Sequence, residues 1–231
     1  MKKFTHIAVI AGLAFSANGF AANVTGKVNF SGKAPKAKSV RMNADPFCAK
    51  QNKGSKPKDE QVVVNDNGTL KNVVVFVSKG AKKSKAATKP IEFDQQNCIY
   101  VPHVLAVQTD QPLKIINSDA TLHNVHALPK KNKGFNMAMA TKGQVIEKTF
   151  KKPETGIRVK CDVHGWMSSY VSVFDHPYFA VTGDDGTFTI ADLPDGEYTL
   201  ETWHEKYGKK TATVKVAGGD AKADFTYSVG S

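Results

Sequence analysis

Cys161, His164 and Met167 stand at Cys-x-x-His-x-x-Met spacing inside the stretch from Arg158 to Val173, which reads as strand, seven-residue loop, strand. A thiol, an imidazole and a thioether are the soft and borderline donors that suit copper in both Cu(I) and Cu(II). A fourth donor must come from elsewhere, and His123, in Leu122-His123-Asn124-Val125-His126, is the best placed. One Cys and two His in a trigonal plane with a weak axial Met describe a blue-copper electron-transfer centre. Plainer readings compete. A lone Cys beside a strand is usually a small buried hydrophobe, and a lone Met is usually core filler. A Cys-x-x-His pair suits zinc only with a second pair at matching spacing, and the sequence has none.

The segment from about Asn97 to Asp175 resembles the cupredoxins, in particular their amicyanin and plastocyanin branch. The residues that carry the resemblance are Asn117-Ser118-Asp119, His123-Asn124-Val125-His126, Thr149-Phe150 and Cys161-Asp162-Val163-His164-Gly165-Trp166-Met167. The resemblance implies a Greek-key β-sandwich whose ligand loop joins its last two strands, with copper held by His123, Cys161, His164 and Met167. It also implies a supporting layer at Asn124 and Asp162, with Asn124 placed to hydrogen-bond the backbone beyond Cys161. The chain departs from the pattern at Val163, where relatives usually carry Pro, and at Trp166. Those departures leave the metal in place and bear on its reduction potential. Trp166 and Met139 are candidate apolar cover for the site, and ordinary core packing explains both equally well.

The elements that must position these groups follow from the start of the chain. Met1 to about Ala21 reads as a signal peptide: Lys2 and Lys3, an apolar run from Ile7 to Phe15, then small residues at Gly19, Ala21 and Ala22. That run is too short for a retained membrane helix, and no later one is longer. The expectation is an exported, periplasmic protein with no integral membrane segment. Losing Lys2 and Lys3 lowers the formal net charge of +11 by two. The remaining excess sits in Lys50–Lys58, Lys79–Lys89 and Lys130–Lys133. Outside the cytoplasm this charge points away from nucleic acid and toward an acidic redox partner, a cytochrome or periplasmic dehydrogenase, or an anionic membrane surface. Plain solvated loops account for it equally well.

Three cysteines are an odd count for an oxidising compartment. Cys48 paired with Cys98 leaves Cys161 as the free thiolate, and such a crosslink is worth about 3–4 kcal/mol. Pairing Cys161 with either would remove the soft-metal site.

Short Val-, Thr-, Phe- and Ile-rich runs between Gly-rich turns predict an all-β fold. Expected strands are 23–30, 61–64, 70–77, 104–107, 113–117, 143–150, 157–160, 169–174, 179–182, 187–190, 196–203, 211–216 and 223–228. Asp184-Asp185-Gly186 reads as a tight hairpin turn rather than a calcium loop. The segment 176–231 resembles the carboxypeptidase-regulatory-like, transthyretin-like β-sandwich modules and is short for one. Strands in 23–92 would complete it, giving a smaller, discontinuous sandwich with the cupredoxin region, 97–175, inserted. Three successive pieces in chain order are the alternative.

His103, His126, His176 and His204 remain. Strand alternation turns His126 away from the face of His123. His176 and His204 would meet only if the terminal sandwich brings them together for a second metal. Three function classes stay open: a one-electron carrier, favoured by four ligands including the Cys; a copper storage, delivery or sensing module; and, more weakly, a copper enzyme, which needs a further open His-rich site.

Overall fold

The computed structural model describes residues 21–55 and 57–230. The predicted signal peptide, Met1 to Ala21, lies outside the described residues apart from Ala21. There β1 (Ala21–Ser31) begins, and its alternation buries Ala22, Val24, Val28 and Phe30 on one face. A long connection follows, carrying one short helix, α1 (Pro46–Gln51). Asp45 caps this helix by accepting the Cys48 amide at 2.9 Å, and Pro46 opens it, where a missing N–H costs nothing. Then comes β2 (Val74–Lys79).

The middle of the chain supplies β3 (Ile91–Gln96), β4 (Ile99–Val101), β5 (Val104–Gln108), β6 (Leu113–Asn117), β7 (His123–Leu128), β8 (Phe135–Met139), β9 (Val145–Lys148), β10 (Glu154–Lys160) and β11 (Ser168–Phe174). The last part adds β12 (Phe179–Val181), β13 (Thr187–Pro194), β14 (Gly196–His204), β15 (Gly208–Val216), β16 (Ala221–Lys222) and β17 (Phe225–Ser228). The protein is all-β apart from α1. Among the described residues no helix is long and apolar enough to cross a membrane.

Pairing sorts the strands into two sandwiches. The middle one faces the sheet β5-β11-β10-β7-β8 against β4-β3-β6-β9, around Phe93, Leu113, Ile115, Val125, Phe150, Ile157 and Val171. The terminal one faces β12-β2-β14-β15 against β13-β1-β16, with β17 also on β1. Its core joins Val24, Val28 and Leu70 to Ile190, Leu200, Val216 and Tyr227, so the two ends of the chain share one interior. Each fully buried aliphatic or aromatic side chain here contributes about 1.5–3 kcal/mol.

The sandwiches are joined through β2, which is buried on both faces. Val75 and Val77 enter the terminal core, while Val74 and Phe76 meet Val104 and Phe174 of the middle sandwich. Gly156 sits at a bulge in β10 with φ +70°, and a Cβ there would stand 2.5 Å from the Trp203 ring. Only a glycine admits that close approach.

Several expected strands shift. Residues 61–64 form no strand beyond a bridge between Val64 and Leu70, because Val62 and Val64 pack sideways onto the terminal core. The strand expected from Leu70 starts at Val74, since Asn72 takes a left-handed φ of 63° and breaks the extended run. β3, β4, β8 and β16 lie outside the expected ranges, as does β7, although the alternation at His123 and His126 already treats that stretch as a strand. β3 turns a buried Gln95 inward where an apolar residue would mark the pattern, and the left-handed Asn97 and Cys98 hide a tight β3–β4 turn. At Asp184-Asp185-Gly186, Asp185 accepts the Thr187 amide at 2.9 Å and its hydroxyl at 2.8 Å, which is turn chemistry.

Candidate metal centre

Three donors meet at one end of the middle sandwich. Asn117, closing β6, shapes the turn into β7: its side chain accepts the Asp119 amide and donates to the carbonyls of Thr121 and Met139. β7 therefore opens with His123 on the inward face, in register with Val125 and Ala127, while His126 lies on the outer face. After β10 the ligand loop closes on itself. The Cys161 amide donates to the Met167 carbonyl at 3.2 Å, and the Met167 amide to that of His164 at 2.9 Å. This folding also brings the His164 amide to within 3.3 Å of the Cys161 sulfur.

His123 Nδ1 lies 2.9 Å from His164 Nδ1, and His164 Nδ1 lies 3.8 Å from Cys161 Sγ. All three side chains are buried. Each imidazole gives its outer Nε2–H to a carboxylate, His123 to Asp119 and His164 to Asp45, both at 3.0 Å. With each Nε2 so engaged, the Nδ1 atoms are the ones left to hold a shared proton or a metal ion. Two lone pairs 2.9 Å apart need a proton or a metal ion between them. Metal–nitrogen bonds of about 2.0 Å and metal–sulfur bonds of about 2.3 Å span these separations, so the donor set fits a soft or borderline ion.

The surroundings tune the charges. Burial pulls the His123 pKa down, but hydrogen bonds to Asp119 and Cys161 outweigh it and lift it to about 9. Burial pushes the Cys161 thiol up, and hydrogen bonding with His123 and neighbouring amides brings it below its usual value. Asp119 stays low despite burial, because His123 and the amides of Cys98 and Asn97 all donate to it. Met167 is buried in the core cluster that also holds Cys161 and Met139.

Asn124 takes the Asp162 amide on its Oδ1 at 2.7 Å, with the Cys161 sulfur 3.2 Å away, and its amide group donates to Asn136 and Asp162. It thus ties β7 to the loop just beyond Cys161. Asp162 is held well below the usual carboxylate range by Lys160 and His126, on the exposed outer side. Trp166 lies against His164, ring centroids 4.9 Å apart, and its N–H donates to the Cys98 carbonyl. Met139 packs beneath the site and accepts from Gln95. Cys48 and Cys98 form a disulfide, leaving Cys161 as the free thiol.

The other histidines stand apart. His103 pairs with Glu205 where the sandwiches meet, and that partner raises its pKa against the pull of burial. His176 donates to the Val77 carbonyl and accepts the Tyr178 amide. His204 accepts the amides of Lys206 and Tyr207. Two further groupings of ligand-type atoms, Asp45–Cys48–His164 and Cys98–Asp119–His123, each include a half of the disulfide, so neither offers a free thiol. Asp45 carries almost no metal-site signal in the sequence. Its only signal is an N-cap next to a cysteine, and nothing in that pattern points to His164. Asp119 stood in the cupredoxin-like motif without an assigned role, and its spacing four before His123 was the available signal.

No family model matches the sequence, and no curated protein matches it. Among solved structures, the chain is similar to a copper-containing nitrite reductase from Thermus scotoductus SA-01 at 19% identity and a TM-score of 0.36, over 44% of this chain. It spans only 25% of that enzyme's length. A purple cupredoxin from Nitrosopumilus maritimus is similar at 19% identity and a TM-score of 0.31, over 36% of this chain and 97% of that one. An oxidized proline-to-glycine mutant of amicyanin is similar at 24% identity and a TM-score of 0.34, over 43% of this chain and 97% of that one.

Proposed function

We propose that the chain is an exported, periplasmic copper protein of cupredoxin type that carries one electron at a time between redox partners, one of them an acidic protein such as a cytochrome or dehydrogenase. The observation that carries this reading is the convergence of two imidazole lone pairs and a free thiol at one buried point. His123, Cys161 and His164 would hold the ion, with Met167 as the weak axial donor. Copper supplies the one-electron couple between Cu(I) and Cu(II).

The chain's own part is to hold these donors still and dry. His123 is fixed by Asp119, the loop is tied by Asn124, and the disulfide backs both imidazoles. Donors so anchored move little when charge changes, which keeps reorganisation small. Burial of all three donors leaves no approach for a substrate, which supports a carrier over an enzyme. A storage or delivery protein needs donors that a second protein can reach, and His164 is only 1% exposed. Lysine-rich connections supply the positive field that would steer an acidic partner.

The test is a copper titration of the metal-free protein, followed by its visible and EPR spectra. One ion per chain and an intense thiolate-to-Cu(II) band are expected, and Cys161→Ala removes the band. Colour and stoichiometry retained in that variant would refute the assignment.

A further inference from the structure

The β1–β2 connection belongs to the terminal sandwich, yet it reaches across to the ligand loop of the middle one. Cys48 is bonded to Cys98, Asn52 donates to the Asn97 carbonyl, and Gln51 donates to the Asn97 side chain. Met42 and the disulfide form a small buried cluster, with Val40, Phe47 and Trp166 packed on it. At its tip Asp45 accepts the outer Nε2–H of His164 at 3.0 Å, across 119 residues of sequence. The connection thus lies over the imidazole that the loop would otherwise present to solvent.

We infer that Asp45 is a positioning residue of the metal centre, supplied by the other sandwich, which sets the tautomer and the donor strength of His164 and closes that side to solvent. This rests on the copper reading above. The two oxygens of Asp45 have separate tasks. Oδ1 caps α1 through the Cys48 amide at 2.9 Å, and Oδ2 takes the His164 proton. A carboxylate on the far nitrogen makes an imidazole a stronger donor. It also places negative charge beside the ion, which favours the more highly charged Cu(II) over Cu(I). His123 receives the same support from Asp119, four residues away on its own sandwich. His164 takes its support from a distant segment, so its donor strength depends on the joint between the sandwiches.

The division of labour makes the test sharp. Asp45→Asn keeps an N-cap oxygen for Cys48, since Asn caps as well as Asp, but puts a non-accepting amide group toward His164. Asp45→Ala loses both tasks. Second-layer partners of metal ligands typically carry about 10–100-fold in affinity. The expected result is that Asp45→Asn weakens Cu(II) relative to Cu(I) about tenfold, a rise in potential of about 59 mV for a one-electron couple. Release of copper to a chelator should quicken. The thiolate band and the thermal midpoint should be retained.

A shift of the same sign in both variants supports the assignment. A shift in Asp45→Ala alone shows a helix cap and nothing more, and overturns it, as does a potential unchanged in both. A parent protein that binds copper without any thiolate band fails earlier and differently. It removes the copper-carrier reading itself and this assignment with it.

Discussion

Two pairs of buried histidines, His176 and His204 in the terminal sandwich and His123 and His164 in the middle one, have opposite fates. In the terminal sandwich the backbone occupies Nδ1 of both rings. His176 accepts the Tyr178 amide there and donates its Nε2–H to the Val77 carbonyl, while His204 accepts the amides of Lys206 and Tyr207 on Nδ1 and its buried Nε2 has no hydrogen-bond partner among the described residues. Burial depresses both, His204 to about 4, where nearby His103 adds to the effect. In the middle sandwich, His123 and His164 give the far nitrogen to a carboxylate and keep the near one as a lone pair. Residue type, burial and host fold are alike. What differs is Nδ1: in the terminal pair it already accepts backbone amides, and in the middle pair it faces the other imidazole and stays available to a metal ion.

The two pairs differ most in what their loss costs, beginning with the thiol and His123. Cys161→Ala should abolish the thiolate band, and His123→Ala should cost about 100-fold or more in copper affinity, beyond what a supporting group carries. His176→Ala should leave copper binding unchanged; a loss there would erase the distinction between the pairs. Spectral titration of the three variants reads all of these.

Next in size is the disulfide, which backs the middle pair only. It closes a loop across a sequence separation of 50, so replacing Cys48 and Cys98 by Ser should cost about 4 kcal/mol in denaturant unfolding. It should also loosen copper, because the amides of Cys48 and Cys98 hold Asp45 and Asp119. The terminal pair should keep its protection in hydrogen exchange.

The terminal pair can be tested by pH in metal-free protein. His204 is a base whose folded pKa, about 4, lies below its ordinary value of 6.5. Between those values the unfolded chain binds more protons, so stability falls as pH drops from about 6.5 toward 4. The full depression corresponds to about 3 kcal/mol. His103, raised by Glu205, keeps its contribution throughout that window and loses it only at higher pH. Asn offers an oxygen where His204 offers Nδ1 and does not titrate, so His204→Asn should flatten the acid limb; an unchanged limb would show that His204 does not cause it.

The smallest expected change concerns Met167. If Met167 is the weak axial donor of the proposed carrier, Met167→Leu should retain thiolate-bound copper and raise its potential, since a thioether is withdrawn from a site already dry. In a storage site the thioether would be a principal Cu(I) ligand, and Cu(I) retention would fall sharply. Electron self-exchange and Cu(I) affinity distinguish the two.

What could be read along the chain was whatever repeats over a few residues. Alternating burial marked β1, β6 and β14, the seven-residue loop put Cys161 and His164 on one turn, and alternation separated His123 from His126. Each is a property of one strand or one turn, so local chemistry determines it. Where local chemistry is ambiguous the pattern along the chain misleads, as at the valines of 61–64 and at β3, whose inward Gln95 breaks the apolar pattern.

Other features needed distant surfaces to meet. The pairing of β1 with β13, the double burial of β2, and the contact of Asp45 with His164 carry no local signature. The strands on offer have similar apolar faces, and their partners are selected by the total surface each arrangement buries. Residue type and spacing along the chain mark which side chains are able to bind a metal. Which imidazoles keep Nδ1 available for one depends on long-range packing, because it takes a carboxylate at Nε2 and no backbone amide at Nδ1.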